Sequence, residues 1–313
     1  MNEIIAQTLP ILFLLGLGYW VRRSRFLPQS TMDDLKKIIV TLVLPAVLFT
    51  SFLSIELKTA YVAVFVMIFL LCVALFALGK LLQRVFSIKW IYFPFLMTGF
   101  EYGMLGVSLY GTIYGIDNIG HIAVFDLGHE IFIWFVFLAL LLRERKGAGQ
   151  SPVELAKRFV QSPVIIGILA GILLNLLGAQ RFLEEFAVSQ AVLSTFHHLG
   201  NLTIPLILMV VGYGIKLERS GLRDALPVVV LRLGILIPLA LVLNAVVTRG
   251  MLGLGRLSEA GLFTLLVLPP PFIIPLYARE DLPEAESAYV NNTLTLHTLV
   301  SVVVYVGYFA LGS

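Results

Sequence analysis

Residues 258–278 read SEAGLFTLLVLPPPFIIPLYA, an apolar run interrupted by Pro269, Pro270 and Pro271, with Pro275 beyond. The run is long enough to cross a bilayer, which takes about 20 apolar residues as a helix. Three consecutive prolines remove three backbone donors and bar the residue before each from helical dihedrals. In lipid the freed carbonyls need another partner: a neighbouring helix, water or a bound solute. A second interrupted run lies in the first half of the chain. Residues 90–115 carry Gly99, Gly103, Gly106 and Gly111 around Glu101. Glycines there allow close backbone approach and unusual dihedrals.

The rest of the chain has the same apolar character. Of 313 residues, 59% are hydrophobic and 13% charged, and the usual charged share is about twice that. A soluble core of this size cannot hide so much apolar surface. Net charge is +3 with dispersed basic residues, which excludes a nucleic-acid binder. The single cysteine, Cys72, excludes an intramolecular disulfide and a Cys/His metal cluster.

Ten helical spans are expected, at about 4–21, 33–54, 59–83, 90–115, 119–142, 160–178, 189–215, 222–247, 258–278 and 286–311. The runs are continuous and Leu-rich, unlike the short alternating segments of a membrane barrel. The first lacks a basic start and a small-residue cleavage site, and Arg22, Arg23 and Arg25 follow it, so it reads as a retained span. Of the 22 Lys and Arg residues, 17 flank the odd-numbered connections and 4 the even ones. That bias places the odd connections in the cytoplasm and both termini outside. The longest polar stretch, Arg143 to Arg158, holds an amphipathic piece around Val153 to Val160. The expected organisation is a single membrane domain. A first five-helix repeat covers 1–143, a cytoplasmic connection 144–159, and a second repeat 160–313.

The halves echo each other. Leu42, Pro45, Leu48 and Leu57 recur as Leu202, Pro205, Leu208 and Leu217, a shift of 160. This pairs the second span with the seventh. The offset of five helices is odd, so matched helices run oppositely through the membrane. Such inverted repeats characterise secondary transporters, whose solute sites lie at discontinuous helices near the midplane. The two interrupted spans, fourth and ninth, hold corresponding places in the two halves.

Ionisable residues inside spans cost roughly 2.5–3.5 kcal/mol each on insertion scales. Glu101, beside the fourth-span break, reads as a proton carrier, as a charge replacing substrate contacts, or as a partner for a cation such as Arg232. Asp126, His129 and Glu130 share one helical face at i, i+3 and i+4, either a proton relay or a static hydrogen-bonded cluster. The spacing is not that of a zinc HExxH site. Arg232 suits bidentate carboxylate recognition or an ion pair with Asp126, Glu130 or Glu101. Asn291, Asn292 and His297 mark the tenth span, the asparagines near its cytoplasmic end. Asn175 and Asn244 are helix-packing candidates.

In order and spacing these residues resemble the auxin efflux carrier family, which includes plant auxin exporters and bacterial malonate-type carriers. The likeness runs through Leu17-Gly18-Tyr19 with Arg22 and Arg23, and Leu44-Pro45-Ala46-Val47-Leu48-Phe49. Ser162-Pro163 follows with Gly167 and Gly171, then Leu202-Thr203-Ile204-Pro205-Leu206 with Gly212. Arg232 to Pro238 comes next, and last Pro269 with Ala278 and Glu280. The resemblance implies ten helices with crossed, broken fourth and ninth members, shared in outline with bile acid sodium symporters. It also implies carriage of small organic anions, often by a dimer. Three positions depart from the family. Its fourth-helix pattern is Asn-x-Gly-x-x-Gly-x-Pro, where this chain has Glu101, Gly103, Gly106 and Ser108. His129 stands where the family has asparagine. Two neutral amides have become titratable groups.

The expected function is alternating-access secondary transport of a small organic solute, an organic anion, at the crossing of the fourth and ninth helices. The alternatives are a sodium- or proton-coupled antiporter centred on Glu101 and Asp126, or a sensor without net transport. The expected substrate-binding set is Glu101, Gly103, Gly106, Ser108, Pro269, Pro270, Pro271, Arg232 and Asn292. The expected proton- or ion-coupling set is Glu101, Asp126, His129 and Glu130. No resident cofactor or metal is expected beyond coupling to H+ or Na+. Partners are the solute, the bilayer and a second copy as a homodimer, without nucleic acid. The expected location is a bacterial inner (plasma) membrane. No phosphate-binding Gly-x4-Gly-Lys-Ser/Thr sequence is present, so the chain is not expected to hydrolyse ATP. No nucleophile–base set points to an enzyme.

Overall fold

The computed structural model describes residues 2–144, 151–217, 221–277 and 283–312. Arg145, Lys146, Arg219, Ala278, Arg279 and Glu280, used above for orientation or family likeness, lie outside them. The described residues are 84% helical and contain no strand. This follows from the apolar runs, since a helix satisfies each backbone group within its own segment. Among the described residues six helices are long and apolar enough to cross a membrane: Gln29–Ser54, Ala60–Val85, Gly120–Glu144, Ala187–Gly214, Leu222–Met251 and Glu284–Ala310. A seventh appears when the bent pair Val153–Val160 and Pro163–Leu176 counts as one span. These match the second, third, fifth, sixth, seventh, eighth and tenth expected spans. The first expected span is helix Asn2–Arg23. The fourth and ninth are each divided into shorter pieces.

The chain forms two compact units, each drawing on both halves of the sequence. One comprises Met1–Lys58, Gly103–Ala123 and Arg158–Ile215; the other Thr59–Tyr102, Val124–Lys157 and Lys216–Ser313.

In the first unit, glycines let helices touch backbone to backbone. Helix Pro163–Leu176 sets Gly167 against the Pro45 carbonyl and Gly171 against the Phe49 carbonyl. One turn on, Asn175 donates to the carbonyls of Phe52 (2.9 Å) and Ile55 (2.7 Å). Small residues at this spacing permit close approach, and an amide at the end adds polar ties. Helix Asn2–Arg23 packs likewise on Ala187–Gly214. A Cβ on Gly18 would lie 2.0 Å from the Met209 carbonyl oxygen, and one on Gly212 would lie 2.1 Å from that of Leu15. Gly18→Ala should therefore push these helices apart at a cost of about 1–3 kcal/mol, the usual scale of overpacking. Thermal unfolding in detergent checks this. Gly16→Ala, on the same helix with nothing within 4 Å of the added methyl, should leave stability unchanged.

In the second unit, Gly128 of helix Gly120–Phe132 packs against the Phe65 carbonyl of Ala60–Val85. Helix Leu222–Leu243 packs on Glu284–Gly312. Both divided spans place their breaks in this unit. In the fourth, a short helix Phe93–Leu96 gives way to irregular chain through Glu101, and helix resumes with a widened turn at Tyr102–Gly106. Gly99 sits at the corner with φ +69°, a left-handed conformation costly for any residue with a Cβ. In the ninth, helix Arg256–Val267 ends two residues before Pro269, with Leu268 extended at ψ 151° as a following proline demands. Helix resumes at Ile274–Tyr277.

Candidate functional site

A broken helix leaves carbonyls without donors at one edge and N–H groups without acceptors at the other. Here the two breaks face each other, and each supplies part of what the other lacks. Glu101 N–H donates to Pro269 O at 2.9 Å. The first N–H after the three prolines, that of Phe272, donates to Glu101 Oε2 at 2.6 Å. The ring of Pro271 lies close enough to Gly99 that an added Cβ would sit 2.7 Å from its Cγ. So Gly99 is needed for both its φ and its contact.

Three successive carbonyls of the ninth-span break are each taken by a different element. Val267 O accepts from Ser301 Oγ at 2.6 Å, Leu268 O from Arg232 Nη2 at 3.4 Å, and Pro269 O from Glu101 N–H. Arg232 also serves the fourth-span break, with Nη1 donating to Leu96 O at 3.0 Å and Nη2 to Gly99 O. Its guanidinium lies 5.3 Å from the Phe100 ring centroid, within cation–π range. Arg232 is fully buried. Of the two readings its position allowed, the ion pair is not found: among the described residues no carboxylate pairs with it. Its terminal nitrogens hold main-chain carbonyls of both breaks.

The remaining N–H of the fourth-span break, that of Phe100, donates to His129 Nε2 at 2.9 Å. An N–H only donates, so Nε2 must carry a lone pair. The ring proton is therefore on Nδ1, which lies 2.8 Å from Asp126 Oδ1 and donates to it. His129 is thus neutral, with both nitrogens engaged and its ring 2% exposed. The ligand atoms of Asp126, His129 and Glu130 lie within 4.8 Å of one another, a spacing a metal ion could use. The ring offers no free lone pair for one, and the donor set fits a hydrogen-bonded cluster. Glu130 is only half-buried and accepts from Trp134 Nε1 at 2.9 Å.

One unit thus brings together Glu101, Pro269, Pro270, Pro271, Arg232, Asp126 and His129. Gly103, Gly106 and Ser108 belong to the other unit, where the Ser108 hydroxyl is turned back on Met104 O at 2.6 Å. Asn292 is fully buried. Its amide lies beside Gly221, at the start of helix Leu222–Leu243. Asn175 and Asn244 do tie helices together, Asn244 by donating to Glu259 O at 2.8 Å.

Sequence reading marked His297 on the tenth span without placing it in the site, and missed Ser301 and Glu286. Ser301 caps the Val267 carbonyl. His297, one turn before it, lies 2.9 Å from its hydroxyl. The i, i+4 polar pair on an apolar helix was the available signal. Glu286, at the start of the tenth expected span, is 5% exposed and accepts from Tyr92 N–H at 3.0 Å, pinning the start of the short helix Phe93–Leu96.

The family model described as membrane transport protein matches residues 3–309, nearly the whole chain. Comparison with curated proteins gave no match.

Proposed function

We propose that this chain, which belongs to the auxin efflux carrier family of membrane transport proteins, carries a small organic anion by proton-coupled alternating access. The solute site is the meeting of the two breaks. The observation that carries the proposal is the Phe272 N–H held by the Glu101 carboxylate. In broken-helix transporters, the N-terminus of a half-helix points at the anionic group of the substrate. Here Glu101 occupies that donor. An ionised Glu101 would repel a carboxylate solute. A protonated one gives up most of its claim on the Phe272 N–H, which a solute carboxylate then takes. Anion and proton are therefore loaded together.

The chain is an integral membrane protein. We read its ten helices as a 5+5 inverted repeat with both termini outside. Helix pairing supports the repeat. The first span packs on the seventh and the second on the sixth, and the third touches the fifth as the eighth packs on the tenth. Each pairing maps onto its counterpart under a shift of five.

Uptake of labelled small organic acids, malonate among them, into proteoliposomes tests the function. An imposed proton gradient should stimulate wild-type uptake roughly tenfold, the scale of an ordinary coupling between sites. Glu101→Gln keeps an acceptor for Phe272 N–H but cannot titrate, and should lose that stimulation. Unchanged rates and unchanged pH dependence would remove the proton role. A sodium gradient that drives flux in place of protons would point to the sodium-coupled alternative, and no flux under either gradient to a sensor.

A further inference from the structure

The second buried histidine at the breaks is set differently from the first. His297 Nδ1 lies 2.9 Å from Ser301 Oγ, and that oxygen lies 2.6 Å from Val267 O. A carbonyl can only accept, so the serine hydrogen goes to Val267. The contact with His297 must then run from Nδ1–H to the serine oxygen. A neutral ring in this tautomer leaves a bare lone pair on Nε2. His297 is fully buried, and Nε2 meets no hydrogen-bond partner among the described residues. An unpaired buried acceptor is costly and calls for a role.

Arg232 Nε is also buried without a partner, and Arg232 Nη2 holds Leu268 O, the carbonyl next to the Val267 O that Ser301 caps for His297. On its own helix Glu286, Tyr289, Tyr305 and Tyr308 lie two turns or more away. From Arg256–Val267 the ring meets the Val267 carbonyl through Ser301, with Glu259 two turns further back. The short helix Phe93–Leu96 contributes no titratable side chain, and Ile274–Tyr277 contributes Tyr277, which packs toward Leu138, Leu142 and Leu155. At the breaks themselves stand Glu101, which accepts from Phe272 N–H, and the neutral His129 with Asp126, which accepts from its Nδ1–H.

We propose that His297 is a proton site of the transport cycle, closed while Arg232 grips the two breaks and loaded when that grip is released. A proton adds to the Nε2 lone pair, forming an imidazolium, and leaves by the same atom. No backbone bond is broken. At His129, by contrast, a second ring proton must displace Phe100 N–H. The guanidinium, held on the carbonyl next to the one that Ser301 caps, opposes the added charge, so the gripped state excludes the proton. By reciprocity a proton on His297 biases Arg232 away from the carbonyls of Leu96, Gly99 and Leu268. Only the words "transport cycle" rest on the function proposed above; the state of the ring does not.

Ring nitrogen NMR of histidine-labelled full-length protein in lipid nanodiscs tests this, with the His297 signal assigned by its loss in His297→Gln. The wild-type ring should show the neutral Nδ1–H tautomer. In Arg232→Gln the doubly protonated fraction at mildly acidic pH should rise about tenfold or more, as removal of a nearby like charge implies. An equal fraction with and without Arg232 overturns the proposal, as does a resting Nε2–H tautomer. Should Arg232→Gln fail to fold, Ser301→Ala decides the lone pair's place. Nδ1–H then loses its acceptor and the Nε2–H tautomer should appear; an unchanged tautomer overturns the proposal. If Glu101→Gln flux is unaltered while the ring responds, the proposed function fails and this inference stands. The reverse pattern leaves the function and removes the inference.

Discussion

Arg232→Met should abolish transport and destabilise the protein by roughly 3–5 kcal/mol, since each buried carbonyl left without a donor costs about 1–3 kcal/mol. The side chain fits the space but has no donors. Leu96 O and Gly99 O lose their guanidinium bonds, and Leu268 O its longer contact. All three lie at breaks where no helical N–H replaces the lost donor. Arg232→Lys should fall between, because an ammonium lacks the planar fork that reaches two breaks at once. Thermal unfolding in detergent and proteoliposome uptake measure the two effects. Arg84→Met, at an exposed position, should shift stability by no more than about 0.5 kcal/mol. A wild-type melting temperature for Arg232→Met would mean that the breaks hold themselves.

His129→Leu should be nearly as damaging. It leaves the Phe100 N–H without an acceptor and Asp126, 2% exposed, without the ring proton that it accepts. An uncompensated buried carboxylate costs about 3–5 kcal/mol. His129→Asn is the informative companion. Its amide oxygen can accept from Phe100 and its amide nitrogen can donate to Asp126, the same pattern as the neutral Nδ1–H ring. It should therefore lose little stability. Combining His129→Leu with Asp126→Leu should recover part of the loss, since no carboxylate then remains to be satisfied. Equal damage from asparagine and leucine would refute the assigned tautomer.

Much of the fold was legible because lipid allows few solutions. Apolar runs had to be helices, and three prolines had to end one of them. Glu101 stood out as an acid beside a run of glycines, and the spacing of Asp126 and His129 put them on one face. What the side chains hold was not legible. The alternatives for Arg232 were a solute carboxylate or an acidic side chain, because side-chain chemistry is what a sequence displays. The answer was main-chain carbonyls exposed by two breaks distant in the chain. The neutral state of His129 was equally hidden, since it follows from a backbone N–H 29 residues away. The full burial of Asn292 was hidden as well, because distance along the chain from a cytoplasmic connection is a poor measure of burial. Glu286 was hidden for the same reason.

The grip of Arg232 has a consequence for how relatives of this chain can diverge. A carbonyl is the one acceptor every residue carries, so whatever side chains stand at positions 96 and 268 make no difference to the bond. Position 99 is restricted by its backbone angle rather than by the arginine. Methods that infer contacts from compensating pairs of substitutions will therefore find no covarying partner for position 232. The tie between the two breaks leaves no correlated trace in an alignment, and has to be found in coordinates.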